Sequence, residues 1–381
     1  VASDVDELSR SLLMWRQFTQ WVGGMGIVVL ALAILPRLRV GGRQLFQSEL
    51  AGPTELERLT ASIRDTAQRL WLLYVGLTGL AILVLATIGW TGLDEAMSPY
   101  DAVAHAFSAI AIGGFSTENR SLEAFSAATQ WAIAAFVVIA GINFLRLYRA
   151  VVLRQPRAIT RDQEFRVYLA ALAVGAALLL VELLAAGVEG GEAAVRHAIF
   201  QSISIMTTAG FASTDYAAWG ALALLTLLAL MFVGASAGST GGSIKVIRHV
   251  VVAKVIRREL DQAVHRELVQ PIRLGAGVVD ERILRSVISF VLLYLAIFAA
   301  GAIGLVIDAR VGDLELSAFD ALSASAAALG NVGPAFGVAG PMGSYAPFSD
   351  ASTGILTALM WLGRLEIVPV VVLLTRAHWR A

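Results

Sequence analysis

Seven runs of apolar residues mark the chain, near 15–37, 69–92, 126–148, 167–188, 217–248, 283–308 and 351–375. Each is long enough to cross a ~30 Å hydrocarbon core, which takes about 20 helical residues. Three further runs, near 100–112, 193–206 and 317–329, reach only ~10–14 residues, a length that suits half-helices entering and leaving on one side. The polar positions between the runs give the direction. Arg37, Arg39, Arg43, Arg58, Arg64 and Arg69 lie between runs one and two, and Arg146, Arg149, Arg154, Arg157, Arg161 and Arg166 around the gap between three and four. Lys245, Arg248, Lys254, Arg257, Arg258, Arg266, Arg273, Arg282 and Arg285 lie in or beside the gap between five and six. The alternate gaps hold only Arg120, Arg196 and Arg310, among acids such as Asp94, Glu118, Asp215 and Asp308. Basic loops stay cytoplasmic, so the three short runs all lie on the outer side; Arg10 and Arg16 are mild exceptions.

Each outer gap repeats one unit, a short apolar run followed by a glycine-containing turn. Asp101 lies 13 residues before Gly114, Asp320 13 before Gly333, and His197 occupies the same offset before Gly210. The turns read Ile112-Gly113-Gly114-Phe115, Thr207-Thr208-Ala209-Gly210-Phe211 and Gly330-Asn331-Val332-Gly333. A second echo opens runs one and three, Thr19-Gln20-Trp21 and Thr129-Gln130-Trp131. Any single glycine could serve only close helix packing, but three at a common offset point to a repeat. The chain therefore divides into 1–40 (closing helix of repeat 1), 41–150 (repeat 2), 151–262 (repeat 3) and 263–381 (repeat 4). It opens on Val1 within a polar stretch, which reads as a start inside a loop, the front of the first repeat lying upstream.

Composition agrees with the pattern. Of 381 residues, 57% are apolar and 15% charged, where soluble domains carry ~25% charged residues, and the mean hydropathy is +0.73. The class is an all-α polytopic membrane protein. The 29 basic and 29 acidic residues balance, so no net field draws in nucleic acid. The chain has no cysteine, and His105, His197, His249, His265 and His378 are scattered without metal-ligand spacing. No phosphate loop, nucleotide fingerprint or nucleophile elbow occurs, which speaks against an enzyme.

A glycine-containing turn at membrane depth exposes carbonyls, which is tolerated where they line a wet path. Four such turns around an axis would replace the water shell of a monovalent cation. Half-helices running inward would aim their partly negative C-terminal ends at that cation. Two interruptions of the apolar runs stand out. Gly234-Ala235-Ser236-Ala237-Gly238-Ser239-Thr240-Gly241-Gly242 is too poor in helix formers to stay helical, and reads either as a flexible loop across the path or as a close helix contact. Arg364 sits inside an apolar run, where a charge avoids lipid; its partner would be Glu366, another buried acid or the path itself. Lys245 is either part of the loop or a snorkelling anchor. Asp101 and Asp320 read as N-terminal caps and dipole partners of their half-helices, and Glu182 as a structural hydrogen-bonding group.

These residues resemble TrkH-type subunits of the Trk/Ktr/HKT potassium transporter superfamily. The stretch Trp21-Val-Gly-Gly-Met-Gly through Pro36 is similar to the helix after that family's first filter, Thr207–Phe211 to its third filter and Gly330–Pro334 to its fourth. Gly238-Ser-Thr-Gly-Gly-Ser-Ile-Lys245 resembles its third-repeat gating loop, and Gly363-Arg364-Leu365-Glu366 its fourth-repeat helix with a pore arginine. The second turn departs from the family in having Ile112 where threonine often precedes the filter.

The resemblance implies a central ion path lined by repeated M1–pore half-helix–filter–M2 units, with K⁺ held at Gly114, Thr208, Gly210, Asn331 and Gly333. It implies gating by residues 234–242 with Lys245 and Arg364, and places the first filter glycine just upstream of Val1. K⁺ is then the cargo, with no cofactor bound by this chain. It further implies a homodimer in the lipid of a bacterial inner membrane, with a separate TrkA-like nucleotide-binding ring gripping the basic inner loops. A sodium-coupled Ktr-type transporter and a non-conducting membrane scaffold remain alternatives.

Overall fold

The structure, a computed structural model, describes residues 4–33, 63–187, 190–265, 267, 270–275, 277–312, 314–365 and 367–374. Its helices in chain order are α1 (Arg10–Ala33), α2 (Ile63–Trp90), α3 (Pro99–Ile110), α4 (Ala127–Ala140), α5 (Phe144–Val151), α6 (Arg157–Thr160) and α7 (Gln163–Ala185). They continue as α8 (Gly191–Met206), α9 (Ala221–Val233), α10 (Val246–Val264), α11 (Glu281–Val311), α12 (Ala318–Gly330), α13 (Asp350–Arg364) and α14 (Ile367–Leu374). Among the described residues the strands are β1 (Arg273–Leu274) and β2 (Gly277–Val278), one antiparallel pair before α11. The chain is a multi-pass helical membrane protein.

Three helices are long and apolar enough to cross a bilayer unbroken, Thr66–Trp90, Gln163–Ala185 and Glu281–Val311. These match the second, fourth and sixth apolar runs. The others are less simple than their hydropathy. Run three was expected to cross straight through, yet α4 and α5 meet at a 103° bend. The bend arises because Asn143 caps α5, its side chain accepting from Leu145 N at 3.0 Å and Arg146 N at 3.1 Å, which starts a new helix on a new axis. Run five is split between α9 and α10 by the small-residue stretch, and run seven between α13 and α14. Side chains such as Leu72, Leu225, Leu292 and Ile303 are exposed on the outer helix faces, where lipid would cover them.

The three short runs form α3, α8 and α12. Each packs between the helices of its own repeat and also on the closing helix of the one before: α3 on α1, α8 on α4, α12 on α9. The echoed tryptophans reinforce this. Trp21 Nε1 donates to Thr78 Oγ1 at 3.0 Å, and Trp131 Nε1 to Glu192 Oε1 at 3.0 Å, each reaching from a closing helix into the following unit.

Two repeats share a further contact. Ser202 Oγ donates to Leu172 O at 2.9 Å and lies against Gly175; Ser325 Oγ donates to Phe298 O at 2.8 Å and lies against Gly301. A Cβ at Gly175 would stand 2.7 Å from Ser202 Oγ and 2.9 Å from Leu230; one at Gly301 would stand 2.7 Å from both Ser325 Oγ and Leu359. Small residues thus let a hydroxyl bridge the helices without water, as membrane interfaces require. Gly175→Leu is expected to cost about 1–3 kcal/mol by overpacking. A lowered melting temperature in detergent checks this, and an unchanged one would count against the contact.

Candidate ion path

The three half-helices end in one way. Beyond α3, Ile112 N donates to Ala109 O at 3.1 Å and Gly113 N to Ser108 O at 2.8 Å. Beyond α8, Thr208 N donates to Ile205 O at 3.1 Å and Ala209 N to Ser204 O at 2.8 Å. Beyond α12, Asn331 N donates to Ala328 O at 3.2 Å and Val332 N to Ala327 O at 2.8 Å. This paired helix ending needs a left-handed residue just past the helix, and Ile112 (φ 53°), Thr208 (φ 70°) and Asn331 (φ 57°) supply it. Asparagine tolerates that conformation; β-branched isoleucine and threonine rarely do, so their surroundings must hold them there.

Two residues further on, Gly114 (φ 75°), Gly210 (φ 82°) and Gly333 (φ 107°) are left-handed again. Left-handed residues separated by one ordinary residue let successive carbonyls face the same side, the arrangement a dehydrated cation needs. The turns also stand edge to edge. A Cβ on Gly114 would overlap the Ala209 carbonyl, and one on Gly210 the Val332 carbonyl, with Pro334 Cδ at 2.9 Å. Glycine here serves both conformation and contact. Helix α1 covers the first of the three, Gln20 Nε2 donating to Gly113 O at 2.8 Å while its Oε1 accepts from Ser108 Oγ at 3.0 Å.

The segments leaving the turns are pinned to their half-helices. His105 Nε2 lies 2.9 Å from Ser116 Oγ, His197 Nδ1 lies 2.7 Å from Ser213 Oγ, and Phe336 N donates to Ser323 Oγ at 3.0 Å. Phe211 is buried, its carbonyl accepting from Ser204 Oγ at 2.6 Å, and the Arg16 guanidinium stacks 4.4 Å over the Phe115 ring. Asp101 and Asp320 are not the caps themselves. Ser98 and Ser317 are, and each aspartate sits three residues in; Asp101 also accepts from Thr117 Oγ1 at 2.7 Å. Glu182 lies against Gly220, the N-cap of α9, where its charge suits the helix dipole.

Residues 234–245 run directly beneath the turns. Gly234, at φ 77°, ends α9. Three successive residues then meet the three half-helix ends. Thr240 Oγ1 donates to Ile110 O at 3.2 Å; a Cβ on Gly241 would stand 2.7 Å from Thr207 O; and Gly242 N donates to Thr208 Oγ1 at 2.7 Å while its Cα faces the Gly330 carbonyl. Two cations hold this stretch. Arg364 Nη1 donates to Thr240 O at 3.1 Å and Lys245 Nζ to Gly241 O at 2.7 Å. Lys245 is only 9% exposed, so it is no snorkelling anchor. Gly363 lets α13 approach, since a Cβ there would overlap Leu329 O, and Asn331 Nδ2 reaches Met360 O at 3.3 Å. Glu366, the other partner considered for Arg364, lies outside the described residues.

The first half of the loop rests on residues the sequence reading did not single out. Ser236 N donates to Gly141 O at 3.0 Å, Phe144 N to Gly238 O at 3.1 Å, and Val246 N to Ala235 O at 3.1 Å. Asn143 Nδ2 donates to Ala237 O at 2.7 Å, and Ala237 N to Glu164 Oε1 at 2.6 Å. Ser239 Oγ closes a turn on Ser236 O at 2.6 Å. The signal available in the sequence was Gly141-Ile142-Asn143, a helix breaker and a capping residue inside an apolar run.

The described residues thus set three backbone turns edge to edge, with a pinned loop packed against them. The chain as a whole is similar to known proteins. The family model TrkH, described as "Cation transport protein", matches residues 1–379. The Trk system potassium uptake protein TrkH of Vibrio parahaemolyticus is 38% identical over 384 residues, covering 99% of this chain and 76% of that protein. The TrkH of Escherichia coli K12 is 37% identical over 99% of this chain and 75% of its own length, and the same organism's TrkG 32% identical over 100% and 76%. The crystal structure of the Vibrio parahaemolyticus potassium transporter TrkH superposes with a TM-score of 0.84 at 34% identity, covering 98% of this chain and 74% of that one.

Proposed function

Since this chain belongs to the TrkH family of cation transport proteins, we propose that it carries potassium across the membrane through its backbone turns. The observation that carries this reading is the set of three like turns, left-handed at 112 and 114, 208 and 210, 331 and 333, each set against the next. Carbonyls of Gly114, Thr208, Gly210, Asn331, Gly333 and their neighbours replace the water of a K⁺ ion, and their number and field select it over Na⁺. The division at 40, 150 and 262 belongs to the same reading, supported by three units of one design.

Residues 234–242 act as the gate. Where Thr240 and Gly241 cross the path, their carbonyls are occupied by Arg364 and Lys245. A carbonyl that already accepts from a cation is a poorer ligand for K⁺, and the two charges repel it. Relatives are named as parts of a Trk system. By that likeness the chain works as a homodimer in a bacterial inner membrane. A cytoplasmic nucleotide-binding ring of TrkA type grips its basic inner loops and moves the gate.

Uptake of a rubidium tracer into proteoliposomes, with excess K⁺ or Na⁺ as competitor, tests this. Competition by K⁺ and not by Na⁺ is the expected result. Equal competition by both removes the filter reading, and no uptake even with the ring added leaves a non-conducting scaffold.

A further inference from the structure

The loop beneath the turns is held in two different ways along its length. Its crossing half, Thr240 to Gly242, is held by two flexible cations and the turns themselves. The preceding half is held by main-chain bonds to the bend, Ser236 N to Gly141 O and Phe144 N to Gly238 O, and by a two-sided clamp on one residue. Both main-chain groups of Ala237 are taken by side chains from elsewhere, the N–H by Glu164 Oε1 at 2.6 Å and the carbonyl by Asn143 Nδ2 at 2.7 Å. Glu164 is 4% and Asn143 2% exposed. An acid that buried is expensive unless it is satisfied, and its hydrogen-bond partner is a main-chain amide of the loop.

The clamp closes a circuit with the inner surface. Asn143 caps α5, accepting from Arg146 N at 3.1 Å. The Arg146 guanidinium pairs with Asp162 at 2.9 Å and reaches Ala158 O at 3.3 Å. Asp162 in turn caps α7 through Phe165 N at 3.0 Å, and the first turn of α7 carries Glu164. One ring of contacts thus joins the 103° bend, residues 158–165 and the loop.

We propose that Glu164, with Asn143, is a positioning residue for gating: it fixes Ala237 so that only the half beyond it swings, and sets how often the path is clear. Among the described residues Glu164 hydrogen-bonds neither the turns nor the crossing half, and its coupling to that half is electrostatic, through Lys245, so it governs rate and not ion choice. This rests on the reading of 234–242 as the gate. The clamp also explains the bend, since a straight run three would not present Gly141 O, Asn143 and Phe144 N to the loop.

The test compares wild type, Glu164→Ala, Glu164→Gln and Asn143→Ala in proteoliposomes, measuring rubidium uptake against K⁺ concentration and against Na⁺. Loss of one buried hydrogen bond should raise the maximal rate about tenfold in Glu164→Ala, with a smaller rise in Asn143→Ala. The half-saturating K⁺ concentration and the preference for K⁺ over Na⁺ should stay within about twofold of wild type. Glu164→Gln keeps an acceptor for Ala237 N and should return the rate to within about threefold of wild type. Wild-type or lower rates in folded Glu164→Ala overturn the clamp, as does a rate change that brings a lost ion preference with it. Wild type without K⁺-competed uptake would instead remove the transport reading.

A second readout survives poor transport by any variant. The chain contains no cysteine, so Thr240→Cys creates a single thiol in the crossing half. Its modification by a small thiol reagent should be about tenfold faster beside Glu164→Ala than in the Thr240→Cys parent, and unchanged beside Glu164→Gln. Equal rates beside Glu164→Ala overturn the proposal.

Discussion

Gly210→Ala is expected to lower rubidium uptake at least about tenfold and to let Na⁺ compete with K⁺. Two effects add at this position. Alanine at φ 82° costs roughly 1–2 kcal/mol of backbone strain, which alone would be tolerable in a buried turn. The larger effect is contact. The new methyl would overlap the Val332 carbonyl and press on Pro334 Cδ, and a main-chain group in a neighbouring turn has nowhere cheap to go. The third and fourth turns would therefore move together, and carbonyls turned away from the path lower the number and field of dipoles that distinguish the two ions. Gly354→Ala supplies the control. It makes the same chemical change in α13, where nothing lies within 4 Å and alanine is the better helix former by ~1 kcal/mol; uptake should stay within about twofold of wild type. If Gly210→Ala keeps wild-type selectivity, the turns do not choose the ion.

Removal of Arg364 acts in the opposite direction. Arg364→Ala frees the Thr240 carbonyl and withdraws a positive charge from beneath the turns. A hydrogen bond to a charged group contributes ~1.5–3 kcal/mol, equivalent to roughly ten- to hundredfold in the balance between a crossed and a cleared path. Initial uptake rates without any cytoplasmic partner should rise by a large part of that factor, with the preference for K⁺ over Na⁺ retained. Lys245→Ala removes the companion bond to Gly241 O and should raise the rate as well, the double variant exceeding either. Arg364→Lys keeps charge but loses the planar fork, and should fall between wild type and alanine. Unchanged rates in folded Arg364→Ala would show that the loop is held by its contacts with the turns instead.

These expectations depend unequally on what the chain shows before it folds. The half-helices were readable nearly to the residue: runs at 100–112, 193–206 and 317–329 became Pro99–Ile110, Gly191–Met206 and Ala318–Gly330. Length and hydropathy decide such elements, because lipid leaves every backbone group to be satisfied within the helix itself. The turns were readable through their glycines at one offset, since only a left-handed ending leaves such a spacing.

The bend at Gly141–Asn143 was not readable, because hydropathy records only that a run is apolar, and Phe144 to Val151 remain largely apolar after turning through 103°. Hydropathy alone predicts a single crossing for that reason. Nor could the sequence choose partners for its buried charges. Lys245 and Arg364 had lipid headgroups, acids and carbonyls to choose from; Lys245 took Gly241, 4 positions away, only because the loop turns back on itself, and Arg364 took Thr240, 124 positions away.

The chain by itself thus determined the membrane class, the short helices and the positions of the glycine turns, all of which follow from local length and spacing. Tertiary structure alone decided which turn faces which, what pins the loop and why Glu164 is buried. Those depend on distances between segments, which local preference does not encode.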